Sequence, residues 1–172
     1  MKIVKKLINF LTTLIIVVGV VFIGFYLFGL RPYVVLSGSM EPKIQTGSLS
    51  FINKNVKYKT IKEKDVIAFK LTDGTLVTHR VIGISNEGIQ TQGDANDYPD
   101  GTLVTEKNYV GYNAFSIPKI GYAVRVVQTT KGKIIFGTLV GVLFLAGVLI
   151  GEPDKKKQQQ PVLPDNYPQF MN

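Results

Sequence analysis

The 172 residues include twenty Lys/Arg, twelve Asp/Glu, a single histidine and no cysteine, for a formal charge of +8. Without cysteine, disulfides, thiolate catalysis and thiolate metal sites are excluded; with His79 alone, so are metal sites that need two or more histidines. The basic excess is spread out, with Lys2, Lys5 and Lys6 ahead of the first apolar run, fourteen Lys/Arg against nine Asp/Glu over residues 31–133, and no net charge after Gly151. It describes a solvated or membrane-facing surface, and no nucleic-acid partner is expected.

Residues 1–6 form a short basic start. Leu7 to Leu30 then runs 24 residues without a charge, enough at about 1.5 Å per residue to span a hydrocarbon core of about 30 Å. A cleavable signal peptide competes, but its apolar region is usually only about 7–15 residues and ends in a small-x-small cleavage site. This run is longer and ends Phe28-Gly29-Leu30-Arg31-Pro32, so an uncleaved anchor is expected. Lys2, Lys5 and Lys6 favour a cytoplasmic N-terminus, which places residue 31 onward outside.

Residues 31–133 read as a mainly β domain. Tyr33–Leu36, Leu49–Ile52, Val66–Phe69 and Val77–Ile84 are short and rich in β-branched or aromatic residues. Ile89–Gln92 alternates apolar and polar, and Tyr122–Val126 does so less cleanly; all six are expected as strands. Asp73-Gly74 is a strong hairpin signal and Asn86-Glu87-Gly88 a weaker one. Residues 134–150 form a second uncharged run, apolar all round and at the short limit for a spanning helix, with a buried core helix as the alternative. Lys155, Lys156 and Lys157 beyond it suit a cytoplasmic flank, and residues 151–172, with their glutamines and prolines, are expected to be a disordered cytoplasmic tail.

Three stretches could carry chemistry. Ser37-Gly38-Ser39-Met40-Glu41-Pro42 sits just past the anchor. Glycine allows a sharp turn and proline fixes the direction of exit, so a serine between them can be presented rigidly. Ser, Gly and Pro are also the commonest residues of plain surface turns. His79 lies in Val77-Thr78-His79-Arg80-Val81, where period-2 geometry puts Val77, His79 and Val81 on one face; a packed strand histidine is the bland alternative to a base. Gly93-Asp94-Ala95-Asn96-Asp97-Tyr98-Pro99-Asp100-Gly101 is an acidic turn cluster. It opens like a calcium loop, but Tyr98 and Pro99 fall where that loop needs an oxygen ligand and a glycine. One of its carboxylates could orient His79, as in serine hydrolysis; Asx-turns are the other reading.

In order and spacing, these stretches resemble signal peptidase I, in the endoplasmic-reticulum-type branch that also occurs in bacteria. Ser37-Gly38-Ser39-Met40-Glu41-Pro42 resembles that family's Ser-x-Ser-Met-x-Pro box. Thr78-His79-Arg80-Val81 resembles the box in which this branch carries histidine. Gly93-Asp94-Ala95-Asn96 with Asp100 resembles its Gly-Asp-Asn-Asn…Asp box, alanine replacing the first asparagine, and Pro118-Lys119-Ile120-Gly121-Tyr122 resembles its Pro-x-x-Gly-Tyr segment.

The resemblance implies a signal-peptidase-like β domain flanked by N-terminal and C-terminal transmembrane helices, on the extracytoplasmic side of a multi-pass cell-membrane protein. It implies a serine endopeptidase that removes signal peptides from exported preproteins and needs no metal or cofactor. Ser39 would be the nucleophile, His79 the general base and Asp100 the residue orienting it, with Asp94 a second acidic residue. Ser37 would join the Ser39 N–H at the oxyanion. Lys70 lies 31 residues after Ser39, but His79 occupies the position of the ordinary family lysine. The partners implied are signal peptides, bound as an added strand, the lipid bilayer and the secretion machinery. The alternative is a non-enzymatic, double-anchored β-domain that scaffolds or binds, in which Ser39, His79 and Asp100 are unrelated.

Overall fold

A computed structural model describes residues 2–150; the expected tail, residues 151–172, lies outside the described residues. The order is α1 (Lys2–Leu27), β1 (Leu30–Val34), β2 (Leu49–Asn53), β3 (Val66–Lys70), β4 (Leu76–Ile84), β5 (Ile89–Gln92), β6 (Tyr109–Ile117), α2 (Ile120–Gln128) and α3 (Thr130–Ile150). The six strands form one antiparallel sheet in the order β1-β2-β6-β3-β4-β5. Asp73-Gly74 and Asn86-Glu87-Gly88 fall in the β3–β4 and β4–β5 connections, where the turn chemistry put them.

The first helix starts earlier than the uncharged run and stops earlier as well. Gly29, at φ +77°, ends it in the left-handed region that glycine adopts without a Cβ penalty. Asn55 Nδ2 then donates to the Phe28 carbonyl and the Lys54 N–H to that of Gly29, so the chain passes directly into β1. Strand β1 consequently ends at Val34, and Leu36 is exposed beyond it. The second apolar helix takes in Thr130 to Lys133 and reaches 21 residues, four longer than the uncharged run alone. Both helices are long and apolar enough to cross a membrane, and neither is buried in the protein. They pack against each other.

Two expectations for the β region are corrected. Tyr122–Val126 is not a strand but the middle of α2. Pro118 has no N–H to extend a ladder, Lys119 takes a left-handed φ of 66°, and the Ile120 N–H bonds back to the Pro118 carbonyl, turning the chain into a helix. Gly121 then presses against the Gly47 and Ser48 carbonyls, where a Cβ would lie 2.6 and 2.5 Å away. The strand the sequence concealed is β6, which occupies the centre of the sheet between β2 and β3.

Two apolar clusters hold the sheet. Ile61, Ile67, Phe69, Val81, Ile89 and Val104 are buried together, with Tyr58, Tyr109 and Tyr112 packed around them. At the other end Phe51 of β2 stacks on Phe115 of β6 at 4.6 Å between ring centroids, and Phe25 of α1 meets Phe51 edge-on at 5.2 Å. Phe22 adds a second ring from α1, at 6.3 Å from Phe51. Edge-to-face aromatic pairs add about 0.5–1.5 kcal/mol beyond the area they bury. This cluster fixes the end of α1 to the sheet and so fixes where the next turn sits.

Candidate active site

That next turn carries Ser39. It is pegged from below by Met40 and Ile44, 2% and 4% exposed, and closed by bonds from the Glu41 N–H to the Gly38 carbonyl and from the Ile44 N–H to that of Met40. Glu41 reaches across to Thr46, accepting from its N–H at 3.1 Å and its hydroxyl at 2.9 Å. Those two bonds hold the Glu41 carboxyl below the usual carboxylate range. With Met40 driven into the core, Ser39 is left half-buried at the rim, its hydroxyl pointing at β4.

His79 faces inward from β4, 7% exposed, on the side it shares with Val81. Its Nε2 lies 3.0 Å from Ser39 Oγ. Its Nδ1 lies 2.7 and 2.9 Å from the two carboxylate oxygens of Asp100. An ionised carboxylate only accepts, so the proton belongs on Nδ1 and leaves Nε2 free to accept from the serine hydroxyl. Phe69 packs edge-on against the imidazole at 6.2 Å.

The acidic loop is docked against the serine turn through its backbone. The Ala95 N–H donates to the Ser39 carbonyl at 2.9 Å, and a Cβ on Gly93 would lie 2.5 Å from the same oxygen. Glycine at 93 is therefore required by close approach. Farther along, Asp100 returns to β5: its N–H donates to the Thr91 carbonyl at 2.8 Å and its Oδ2 accepts the Thr91 hydroxyl at 2.6 Å. Gln90 Nε2 holds the Asp100 carbonyl, also at 2.6 Å.

Asp94 is placed elsewhere. Its carboxylate takes a two-pronged bond from Arg80, at 2.7 Å from Nε and 2.6 Å from an η nitrogen, while the other η nitrogen of Arg80 donates to the Lys64 carbonyl. The hydrogen bonds it donates to Asp94 hold Arg80 even more firmly protonated than usual. Asp94 thus clamps the loop to the outer face of β4, not to His79. Ser37 Oγ stands 3.4 Å from Ser39 Oγ on the exposed side of the turn. Lys70 is exposed at the far end of β3, paired with Leu76, three positions along from the Ile67–His79 pair. The sequence alone gives Arg80, Thr91 and Gln90 no role of their own, although Arg80 lies within the histidine box. Only Thr91 left a signal: a hydroxyl at an inward position between Ile89 and the loop.

A cleft of about 560 Å³ opens beside Ser39 and His79. One wall is Tyr33 to Leu36, continuing the free edge of β1; the other is Thr75 and the first residues of β4, Leu76 to Thr78, beyond the stretch that β5 covers. Unpaired strand edges on both sides accept an extended peptide backbone.

A hydroxyl bonded to an imidazole, whose far nitrogen is held by a half-buried carboxylate, is the arrangement of a serine hydrolase. Here it opens onto a groove shaped for an extended chain. Residues 6–131 match the family model described as "Signal peptidase, peptidase S26", and the chain belongs to that family. It is similar to Signal peptidase I W of Bacillus subtilis (strain 168), 37% identical over 118 residues that cover 62% of each chain. It is also similar to the signal peptidase complex catalytic subunit SEC11 of Clavispora lusitaniae, 32% identical over 133 residues, 69% of this chain and 77% of that one. The SEC11 subunit of Komagataella phaffii is 31% identical over 137 residues. The matched part thus spans somewhat under two thirds of the bacterial relative's length and over three quarters of the fungal ones.

Proposed function

We propose that the chain is a membrane-anchored serine endopeptidase that removes signal peptides from exported preproteins. The observation that carries this is the Ser39–His79–Asp100 chain of bonds at the mouth of the cleft. His79 Nε2 takes the proton as Ser39 Oγ attacks the scissile carbonyl, and Asp100 holds the imidazole and balances the imidazolium. The tetrahedral oxyanion is met by the Ser39 N–H and the Ser37 hydroxyl; one such donor is typically worth about 2.7–4 kcal/mol. His79 then gives its proton to the leaving amine, and the signal peptide's new carboxyl end is left as an ester on Ser39. Water, deprotonated by the same imidazole, hydrolyses that ester. Asp94 acts on the site through Arg80 and the loop.

The substrate lies between the edge of β1 and Thr75–Thr78 at the start of β4, with the apolar side chains of the cleft beneath it. Supporting a bilayer as partner, α1 and α3 leave much of their apolar surface uncovered, and Tyr122 and Val126 of α2 are 55% and 66% exposed. In this reading both long helices span, residues 1–6 and the tail are cytoplasmic, and residues 31–133 stand outside, so Ser39 is held near the height at which an anchored substrate leaves the membrane. The name of the fungal relatives, a subunit of a complex, supports association with secretion machinery.

The test is cleavage of a purified preprotein by the full chain in detergent or vesicles. Ser39→Ala abolishes processing and Lys70→Ala leaves it intact; full activity in Ser39→Ala would overturn the reading and favour a scaffold.

A further inference from the structure

Asp100 is borne by a loop, eight residues past the end of β5, yet its carboxylate must hold one orientation toward His79. The element that fixes it is β5. Thr91 pairs with Val81 across the sheet and is fully buried. Among the described residues, Asp100 Oδ2 is the partner of its hydroxyl, at 2.6 Å, the same oxygen that lies 2.7 Å from His79 Nδ1. The backbone bond from Asp100 to Thr91 and the bond from Gln90 to the Asp100 carbonyl fix the main chain, leaving the carboxylate's rotation to be set by the hydroxyl.

The chemistry of the position is unusual for its surroundings. Ile89 two residues before it and Val81 across the sheet are buried and apolar, and valine has the same branched shape as threonine. A buried hydroxyl in such a place costs free energy unless it is bonded, and bonds to an ionised acceptor are the stronger kind.

We infer that Thr91 is a positioning residue of the cleavage reaction, acting through Asp100 on the orientation of His79. This rests on the endopeptidase reading above. Thr91 does not line the cleft and touches no substrate, so its removal slows turnover without weakening binding. It completes a four-membered chain, Ser39, His79, Asp100 and Thr91, of which only the first two face the groove.

The experiment measures kcat and KM separately for the full-length chain in detergent with a purified preprotein. Thr91→Val keeps the shape and deletes the hydroxyl; kcat is expected to fall about ten-fold or more, with KM within about two-fold, because a buried acceptor loses a charge-assisted bond. Thr91→Ser recovers most of the lost kcat. In an Asp100→Ala background Thr91→Val has no further effect, since residues acting as a unit are not additive. Should Thr91→Val fail to fold, the contrast of Thr91→Ala with Thr91→Ser in both backgrounds decides. Wild-type kcat in Thr91→Val, or an equal loss in the Asp100→Ala background, overturns the inference. If Ser39→Ala is inactive while Thr91→Val is unaffected, the Thr91 role alone fails; if Ser39→Ala still cleaves, the endopeptidase reading fails first.

Discussion

Two junctions on the sheet are held by opposite kinds of chemistry. Where α1 meets it, Phe22, Phe25, Phe51 and Phe115 pack by shape alone. Where the acidic loop meets it, Ser39, His79, Asp100 and Thr91 are joined by hydrogen bonds of 2.6 to 3.0 Å. Apolar burial is non-directional and scales with area, so the aromatic junction places the serine turn at a height but cannot aim an atom. The polar junction aims atoms and adds little to overall stability, because protein–protein bonds there replace bonds to water. The comparison separates residues whose loss unfolds the protein from residues whose loss silences it.

The largest effect that sharpens this contrast is at Asp100. Asp100→Asn preserves the size of the side chain but presents an amide to Nδ1, favouring the wrong tautomer of His79. Turnover is expected to fall on the order of 10³- to 10⁴-fold, while the unfolding midpoint moves little; measuring both on one preparation checks the pairing. Phe51→Ala should do the reverse. It removes the ring that both α1 and β6 pack on, at an expected cost of about 3–5 kcal/mol, read by denaturant unfolding in detergent. Cleavage per folded molecule should stay within a few-fold; an activity loss much larger than the stability loss would break the comparison.

Smaller effects lie between the two junctions. In Gly93→Ala the new methyl collides with the Ser39 carbonyl, so the loop must move away from the serine turn. A displacement of about 1 Å at a reacting group can cost about 10²-fold in rate, and kcat should fall by up to that factor. Glu41→Gln is the mildest. The Glu41 carboxyl is held below its ordinary value of 4.5 by Thr46. A depressed carboxyl contributes stability that is present above the unfolded value and lost as pH falls through the folded one. The wild type should therefore lose slightly more stability than Glu41→Gln as pH is lowered below about 5, read as Tm against pH.

What the sequence made legible follows the same division. Ser39, His79 and Asp100 stood out because short boxes in fixed order resemble a known family, and hairpin signals at Asp73-Gly74 and Asn86-Glu87-Gly88 marked β3, β4 and β5. Strand β6 did not stand out, since Gly111 and Asn113 interrupt its apolar pattern. Both have tertiary reasons: a Cβ at 111 would lie 2.5 Å from the Asn53 carbonyl, and Asn113 Oδ1 accepts the buried Ser50 hydroxyl. Helix α2 was hidden for a related reason, its five-residue alternation being too short to tell a strand from a helix that rests on the 47–48 turn. Asp94 and Asp100 look alike in sequence; only the fold sends one to Arg80 and the other to His79.

If Ser39 and His79 act as one unit, removing either should cost as much as removing both. The direct measurement is kcat/KM on a purified preprotein for the full chain, Ser39→Ala, His79→Ala and the double variant. Each single variant is expected to lose cleavage, with the double hardly worse than either. Ser39→Ala cleaving at the wild-type rate, or losses that multiply in the double variant, would contradict it.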